Sequence, residues 1–275
     1  MYLVSQLFIY PVKSLGGIAL LSARLTDRGF EYDRRWMIVD KDNRFLSQRE
    51  IPELSLLQAS VKNNHLIISD SLDPADSIEV PFNAVEARGR VKVWEDDCAA
   101  EFVSAAADGW LSGKLSMPCR LVYMPETEKR KVDERYSLHK NDITSFSDAY
   151  PLMMIGQASL DDLNARLDTP LPVNRFRPNI VFSGGSPYEE DTMAHMRLKG
   201  IDLYGAKLCA RCAITTVDQA KGIKGKEPLK TLAAYRMRDN NVYFGQNLLF
   251  SGLGEISVGD SFEVISLKTS PLFSG

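Results

Sequence analysis

Residues 3–25 read LVSQLFIYPVKSLGGIALLSARL, and this stretch decides the class of fold. Residues 3–12 and 18–25 are β-rich apolar runs, and Gly16-Gly17 separates them with turn chemistry. Gln6, Pro11, Lys13 and Arg24 interrupt the same stretch, so it fits neither a membrane span nor a signal peptide. Working outward, further β-rich runs follow at residues 35–39, 57–61, 66–69, 78–82 and 91–94. Asp27-Arg28-Gly29, Asp40 to Asn43, Asn63-Asn64 and Asp73-Pro74 punctuate them, which gives a small antiparallel barrel or sandwich.

One helix is expected to close that segment, over residues 97–115, where Phe102, Val103, Ala106, Trp110 and Leu111 recur at helical spacing before a strand at 119–123. Residues 125–145 are polar and aperiodic and mark the boundary, placed after Met124. Beyond it, residues 152–155 are apolar, and Ser159 with Asp162 three positions later suggests an N-cap for a helix through Leu167. Strands are expected at 179–182, 197–203, 213–217, 242–244 and 262–265, with a second helix at 229–236 behind Pro228. The whole is a mainly β, α+β protein in two parts, residues 1–124 and 125–275.

The chain of 275 residues is 44% hydrophobic and 25% charged, the composition of an ordinary globular protein. A net charge of −3 supplies no long-range attraction to nucleic acid or anionic lipid, and the expected setting is the cytoplasm, away from membranes. Four cysteines, Cys98, Cys119, Cys209 and Cys212, are too few and too unevenly spread for a disulfide framework. None of His65, His139 and His195 lies three or four residues from another, so no helical His pair is available for zinc.

Chemistry concentrates in three places. Cys209-Ala210-Arg211-Cys212 is a CxxC that opens into Ala213 to Asp218. A zinc ribbon needs two more ligands, and a thioredoxin-like pair needs the motif at a helix N-terminus. Two small buried thiols, or one soft thiolate completing a metal held mainly by a cofactor, remain as readings. Lys13-Ser14, Arg34-Arg35, and Arg175 with Arg177 form a set of cations in short loops, suited to phosphate oxygens and heteroaromatic edges. Phe244-Gly245-Gln246-Asn247 offers a tight turn and an amide that could bond a ligand, while Gly252, Gly254 and Gly259 read as turn glycines. No phosphate-binding glycine loop and no GxSxG nucleophile motif is present.

Six ordered motifs span nearly the whole chain: Tyr10-Pro11-Val12-Lys13-Ser14, Asp33-Arg34-Arg35-Trp36, Asn174 to Asn179, the CxxC with Thr215-Thr216-Val217-Asp218, Lys226-Glu227-Pro228-Leu229, and Phe244-Gly245-Gln246-Asn247. In this order they resemble the MOSC (molybdenum cofactor sulfurase C-terminal) superfamily with its preceding MOSC N-terminal β-barrel domain. Within it the chain is most similar to the amidoxime-reducing components and the bacterial reductases of N-hydroxylated compounds. The resemblance implies a β-barrel-like domain followed by a MOSC β-barrel domain with a few helices. It implies a molybdenum cofactor, molybdopterin with Mo, whose metal takes the thiolate of Cys212 as catalytic ligand. It implies further that Lys13, Ser14, Arg34 and Arg177 hold the phosphate and pterin, with Ala210, Arg211, Asn247 and the backbone of Asp148, Ala149 and Tyr150.

The activity so implied is molybdenum-dependent reduction of small N-hydroxylated compounds, N–OH to N–H. The sequence up to Gly275 has no cysteine spacing of a [2Fe–2S] site. The expected partner is therefore a separate iron–sulfur or flavin electron donor, unless the chain is a fragment. The alternative function is a carrier of molybdenum cofactor or of cysteine-bound sulfur without reductase turnover.

Overall fold

The computed structural model describes residues 1–270, 272 and 273. Its centre is a closed barrel of seven strands. Around the barrel the order is Leu152–Gly156, Ile180–Ser183, Tyr2–Ile9, Ser261–Leu267, Met193–Leu198, Ile201–Arg211 and Asn241–Ser251, which pairs back to Leu152–Gly156. All neighbours are antiparallel except Leu152–Gly156 and Ile180–Ser183, whose parallel pairing is bridged by the helix Gln157–Asn164. Closure leaves the barrel without a free edge. Its interior is filled by Val4, Leu7, Ile9, Met154, Phe182, Met196, Leu203, Leu248 and Phe262 among others.

The alternation of Tyr2–Ile9 explains its place. Val4, Leu7 and Ile9 are buried, and strict period two is broken because a bulge between Val4 and Gln6 shifts the register against Ile180–Ser183. This first strand thus belongs to the sheet made mostly by the second half of the chain. Ser22–Thr26 follows the same allegiance by pairing with Gly254–Ser257. From Trp36 onward the first half builds its own sheets. Trp36–Val39, Arg120–Tyr123, Asp96–Phe102 and Ala87–Val93 form one antiparallel sheet, and Leu57–Lys62, His65–Asp70 and Ser77–Pro81 a three-stranded meander.

Three α-helices occur among the described residues: α1 (Ala105–Leu115), α2 (Gln157–Asn164) and α3 (Leu229–Arg236). Ser104 caps α1, accepting from the N–H of Ala107, and Ala107 and Leu111 on one face pack into the core around Trp36, Ile38 and Leu121. A serine cap of this kind contributes about 1 kcal/mol. Burying the Leu111 side chain contributes about 1.5–3 kcal/mol. Helices α2 and α3 cover the barrel's outer face through Leu160, Leu163 and Leu232, packed on Ile155, Val181 and Phe244.

Four local expectations are corrected. The helix read over 97–115 is a strand up to Phe102, because Asp96–Phe102 pairs along its full length with Ala87–Val93, and that pairing overrides the helical propensity of Ala99 and Ala100. Ser159 is not a cap: it lies inside α2, buried, donating to Glu190. The single strand read over 197–203 is two, since Lys199 and Gly200 take positive φ of 48° and 80° and turn the chain back. Residues 213–216 form a turn of 3₁₀ helix rather than a strand, as Thr215 Oγ1 donates to Cys212 O and Thr216 Oγ1 to Ala213 O.

Candidate functional site

One cleft, with a cavity volume of about 120 Å³, lies between the barrel and the sheets of the first half. Every site residue named from the sequence lines it: Lys13, Ser14, Arg34, Asp148, Ala149, Tyr150, Arg177, Ala210, Arg211, Cys212 and Asn247. Arg35 and Arg175, singled out with the same cations, do not. Arg35 bonds Tyr123 and Met124 O, and Arg175 pairs with Asp218. In the amide-bearing motif, Asn247 lines the cleft but Gln246 serves the fold, donating to Met193 O and accepting from Lys268. Gly245, at φ 76°, lies against Met154 O and the Ile155 side chain, each 2.8 Å from where a Cβ would stand.

Four loops meet at the cleft. After the first barrel strand the chain turns through Lys13-Ser14, its course fixed by Lys13 N donating to Trp36 O and Tyr10 N to Asp33 Oδ1. Arg34 N returns a bond to Tyr10 O, and Arg177 Nη1 reaches Leu15 O at 2.6 Å. Arg34 and Arg177 then lie over the ring of Tyr10, each guanidinium carbon 4.2 Å from its centroid. Burial raises the Tyr10 hydroxyl to a pKa of about 12, with the two arginines acting against that shift. Buried Arg130 fixes the loop over residues 145–148 by donating to the carbonyls of Ser145, Ser147 and Asp148.

The backbone around these cations is held in an uncommon conformation. Ser14, Arg34 and Arg177 have φ of 69°, 50° and 57°. Elsewhere positive φ falls mostly on the asparagines and glycines of ordinary turns, such as Asn43, Asn63, Asn64 and Gly259. Non-glycine residues in that region cost about 1–2 kcal/mol each. They persist when the surroundings overdetermine them, and they cluster at functional sites.

The electrostatics are those of an anion site. Lys13 is 6% exposed and Arg177 8%. Burial, aided by Arg130 and Arg49, pushes Lys13 down to about 8 although Asp148 pairs with it at 2.6 Å. Burial and then Arg34 lower Arg177. Desolvation works against the Asp148 carboxylate, but Lys13, Arg49 and the Trp94 N–H hold it well below the usual range. Arg211 donates to Phe176 O and to Cys209 Sγ, and its buried Nε has no partner. A buried donor without an acceptor is a costly feature that a ligand atom can relieve.

Cys212 stands where the barrel strand Ile201–Arg211 gives way to the 3₁₀ turn, half-buried on the cleft wall. Cys209 lines the same cleft. Both thiols are free. Among the described residues no three His, Cys, Asp or Glu side chains gather into a metal site made by protein alone. Cys212 can offer one soft sulfur to a metal whose other ligands come from a cofactor.

Sequence reasoning missed Arg49, whose Nη1 lies 3.5 Å from Cys212 Sγ. It sits in a charged loop, Gln48-Arg49-Glu50, with nothing local to mark it. Its contact spans 163 positions and exists only in the folded chain.

Residues 1–118 match the MOSC N-terminal beta barrel domain and residues 141–263 the MOSC domain. The chain is 32% identical to mitochondrial amidoxime-reducing component 1 of Mus musculus over 284 residues, covering 94% of this chain and 80% of that one. Identity to mitochondrial amidoxime-reducing component 1 of Homo sapiens is 31% over 273 residues, covering 94% and 81%. It is also 28% identical to the molybdenum cofactor sulfurase of Oryza sativa subsp. japonica, over 92% of this chain and 33% of that protein. No helix among the described residues is long and apolar enough to cross a membrane.

Proposed function

The chain belongs to the MOSC family, and we propose that it is a molybdenum-cofactor-dependent reductase of N-hydroxylated compounds, drawing electrons from a separate iron–sulfur or flavin protein. The observation that carries this reading is the convergence on one cleft of a half-buried thiol, Cys212, with Lys13, Ser14, Arg34, Arg177 and Arg211. Relatives that carry amidoxime reduction in their names match nearly the full length of the chain.

The residues present fit the group. Buried cations and the unpartnered Arg211 Nε suit a pterin phosphate and heteroaromatic edge, and Cys212 suits a soft metal. When bound, such a cofactor supplies two-electron, oxygen-accepting redox chemistry. The protein's own residues do the rest. Lys13, Arg34 and Arg177 neutralise the anion in a pocket whose donors are fixed in advance by Tyr10, Asp33 and the carbonyls of Leu15 and Phe146. Ser14 adds a hydroxyl donor beside them. Asp148 and Asn247 provide polar atoms on the cleft wall, and Phe176 and Met153 provide apolar surface. In the net reaction the N–O bond breaks, two electrons and two protons are consumed, and the amine or amidine leaves with one water.

The test is metal and pterin analysis of wild type and Cys212→Ala made in a cofactor-competent host, with benzamidoxime reduction by an artificial donor as the second readout. The reading expects near-stoichiometric molybdenum and pterin in wild type, with metal lost and pterin kept in the variant. Wild type free of both groups would sink it. Cofactor held without any turnover would turn the reading toward the carrier role.

A further inference from the structure

The cations of the cleft differ in what they bond. Lys13 donates to Phe146 O and Asp148, Arg34 to Asp33 and Arg177 O, Arg177 to Leu15 O, and Arg211 to Phe176 O. Among the described residues the Arg49 guanidinium bonds no oxygen, and its one polar contact is Cys212 Sγ. Its guanidinium carbon lies over the rings of Trp94 and Phe45, 4.3 Å and 5.7 Å from their centroids. A guanidinium held by ring contacts rather than by oxygen acceptors keeps N–H donors free for a ligand.

Trp94 is unusual in its own right. It is 45% exposed, while Trp36 is buried, and it occupies a left-handed position, φ 57°, between strands Ala87–Val93 and Asp96–Phe102. A bulky side chain seldom sits at such a turn. Its indole N–H is tied to Asp148 Oδ1 at 3.2 Å, which turns the ring into a wall beside Arg49. The side chain of Asp148 is 60% exposed, and its charge weighs against a second anion entering there.

We infer that Arg49 and Trp94 form the substrate subsite: Arg49 donates to the oxygen of the N–O bond next to Cys212, and Trp94 flanks the planar aryl or heteroaryl group of an uncharged N-hydroxylated substrate. This rests on the reductase reading above. Arg49 stabilises negative charge on the oxygen as the N–O bond breaks. The protons that release water come from solvent, and the electrons from the iron–sulfur or flavin donor. The buried cations Lys13 and Arg177 serve the cofactor anion, and Arg49 at the rim serves the substrate.

The experiment titrates benzamidoxime into oxidised, cofactor-loaded protein without reductant, followed by tryptophan fluorescence, for wild type, Arg49→Gln and Arg49→Lys. Steady-state KM and kcat are measured for these and for Trp94→Phe, with molybdenum and pterin content of each. Arg49→Gln is expected to keep its cofactor while binding and KM weaken about 10- to 100-fold, the worth of a hydrogen bond from a charged donor. Arg49→Lys should recover part of the loss, and Trp94→Phe should raise KM for the aryl substrate more than for hydroxylamine. Unchanged binding and KM in Arg49→Gln would overturn the role. So would loss of cofactor from that variant, which would make Arg49 a cofactor anchor. Loaded wild type that neither binds nor reduces benzamidoxime would overturn the reductase reading and this subsite together.

Discussion

Lys13 and Asp148, 135 positions apart in the chain, meet at 2.6 Å inside the cleft. Burial holds the Lys13 ammonium at about 8, so its charge is lost within reach of ordinary buffers. Sulfate, a dianion across this range, is the suitable probe. Its affinity for cofactor-free protein is expected to fall as pH rises through about 8, and to be weaker and flat with pH in Lys13→Gln. Equilibrium dialysis reads the difference. The fold should survive, because between about 8 and the ordinary 10.5 the unfolded chain binds the extra proton, so this group adds stability as pH rises.

Glu190 carries the opposite sign. It is wholly buried, accepts from Gly156 N–H and Ser159 Oγ–H, and is pushed up to about 7 by burial. A carboxyl raised in the folded state contributes stability that is complete below the ordinary 4.5 and lost as pH passes about 7. Urea midpoints of wild type should therefore decline across that window, and those of Glu190→Gln should decline less. Equal slopes would remove Glu190 from the account.

Ser14 allows backbone and hydroxyl to be separated. At φ 69° an alanine keeps the strain and a glycine removes it, while both delete the hydroxyl. Thermal unfolding should place Ser14→Gly about 1 kcal/mol above Ser14→Ala in stability. Cofactor content should fall alike in the two variants. Equal melting temperatures would mean that the turn tolerates a Cβ without cost.

Much of the fold could be read from the chain, and the failures have local causes. Helix α3 is found within its expected bounds because Pro228 and the run from Leu229 to Arg236 agree on where it begins and ends. Asp96–Phe102 was hidden because Ala99, Ala100 and Glu101 favour a helix, and only the partner strand at 87–93 decides otherwise. Ile214, Thr215 and Thr216 carry β propensity, yet their hydroxyls bond back to the main chain and wind it. In the cleft, motif order led to Lys13, Arg34 and Arg177, whereas the left-handed turns that aim them, and the meeting of Arg49 with Cys212, depend on contacts no short stretch records.

The first barrel strand has a consequence for how the chain can be cut and made. Tyr2–Ile9 pairs with Ile180–Ser183 on one side and with Ser261–Leu267 on the other. A fragment beginning after Met124 would lack this stave and present two bare strand edges, the usual template for aggregation. During synthesis Tyr2–Ile9 must wait for its partner Ser261–Leu267 to leave the ribosome, ~10–50 s at ordinary elongation rates. The two halves are thus laced together, and the barrel closes only once Ser261–Leu267 has been made.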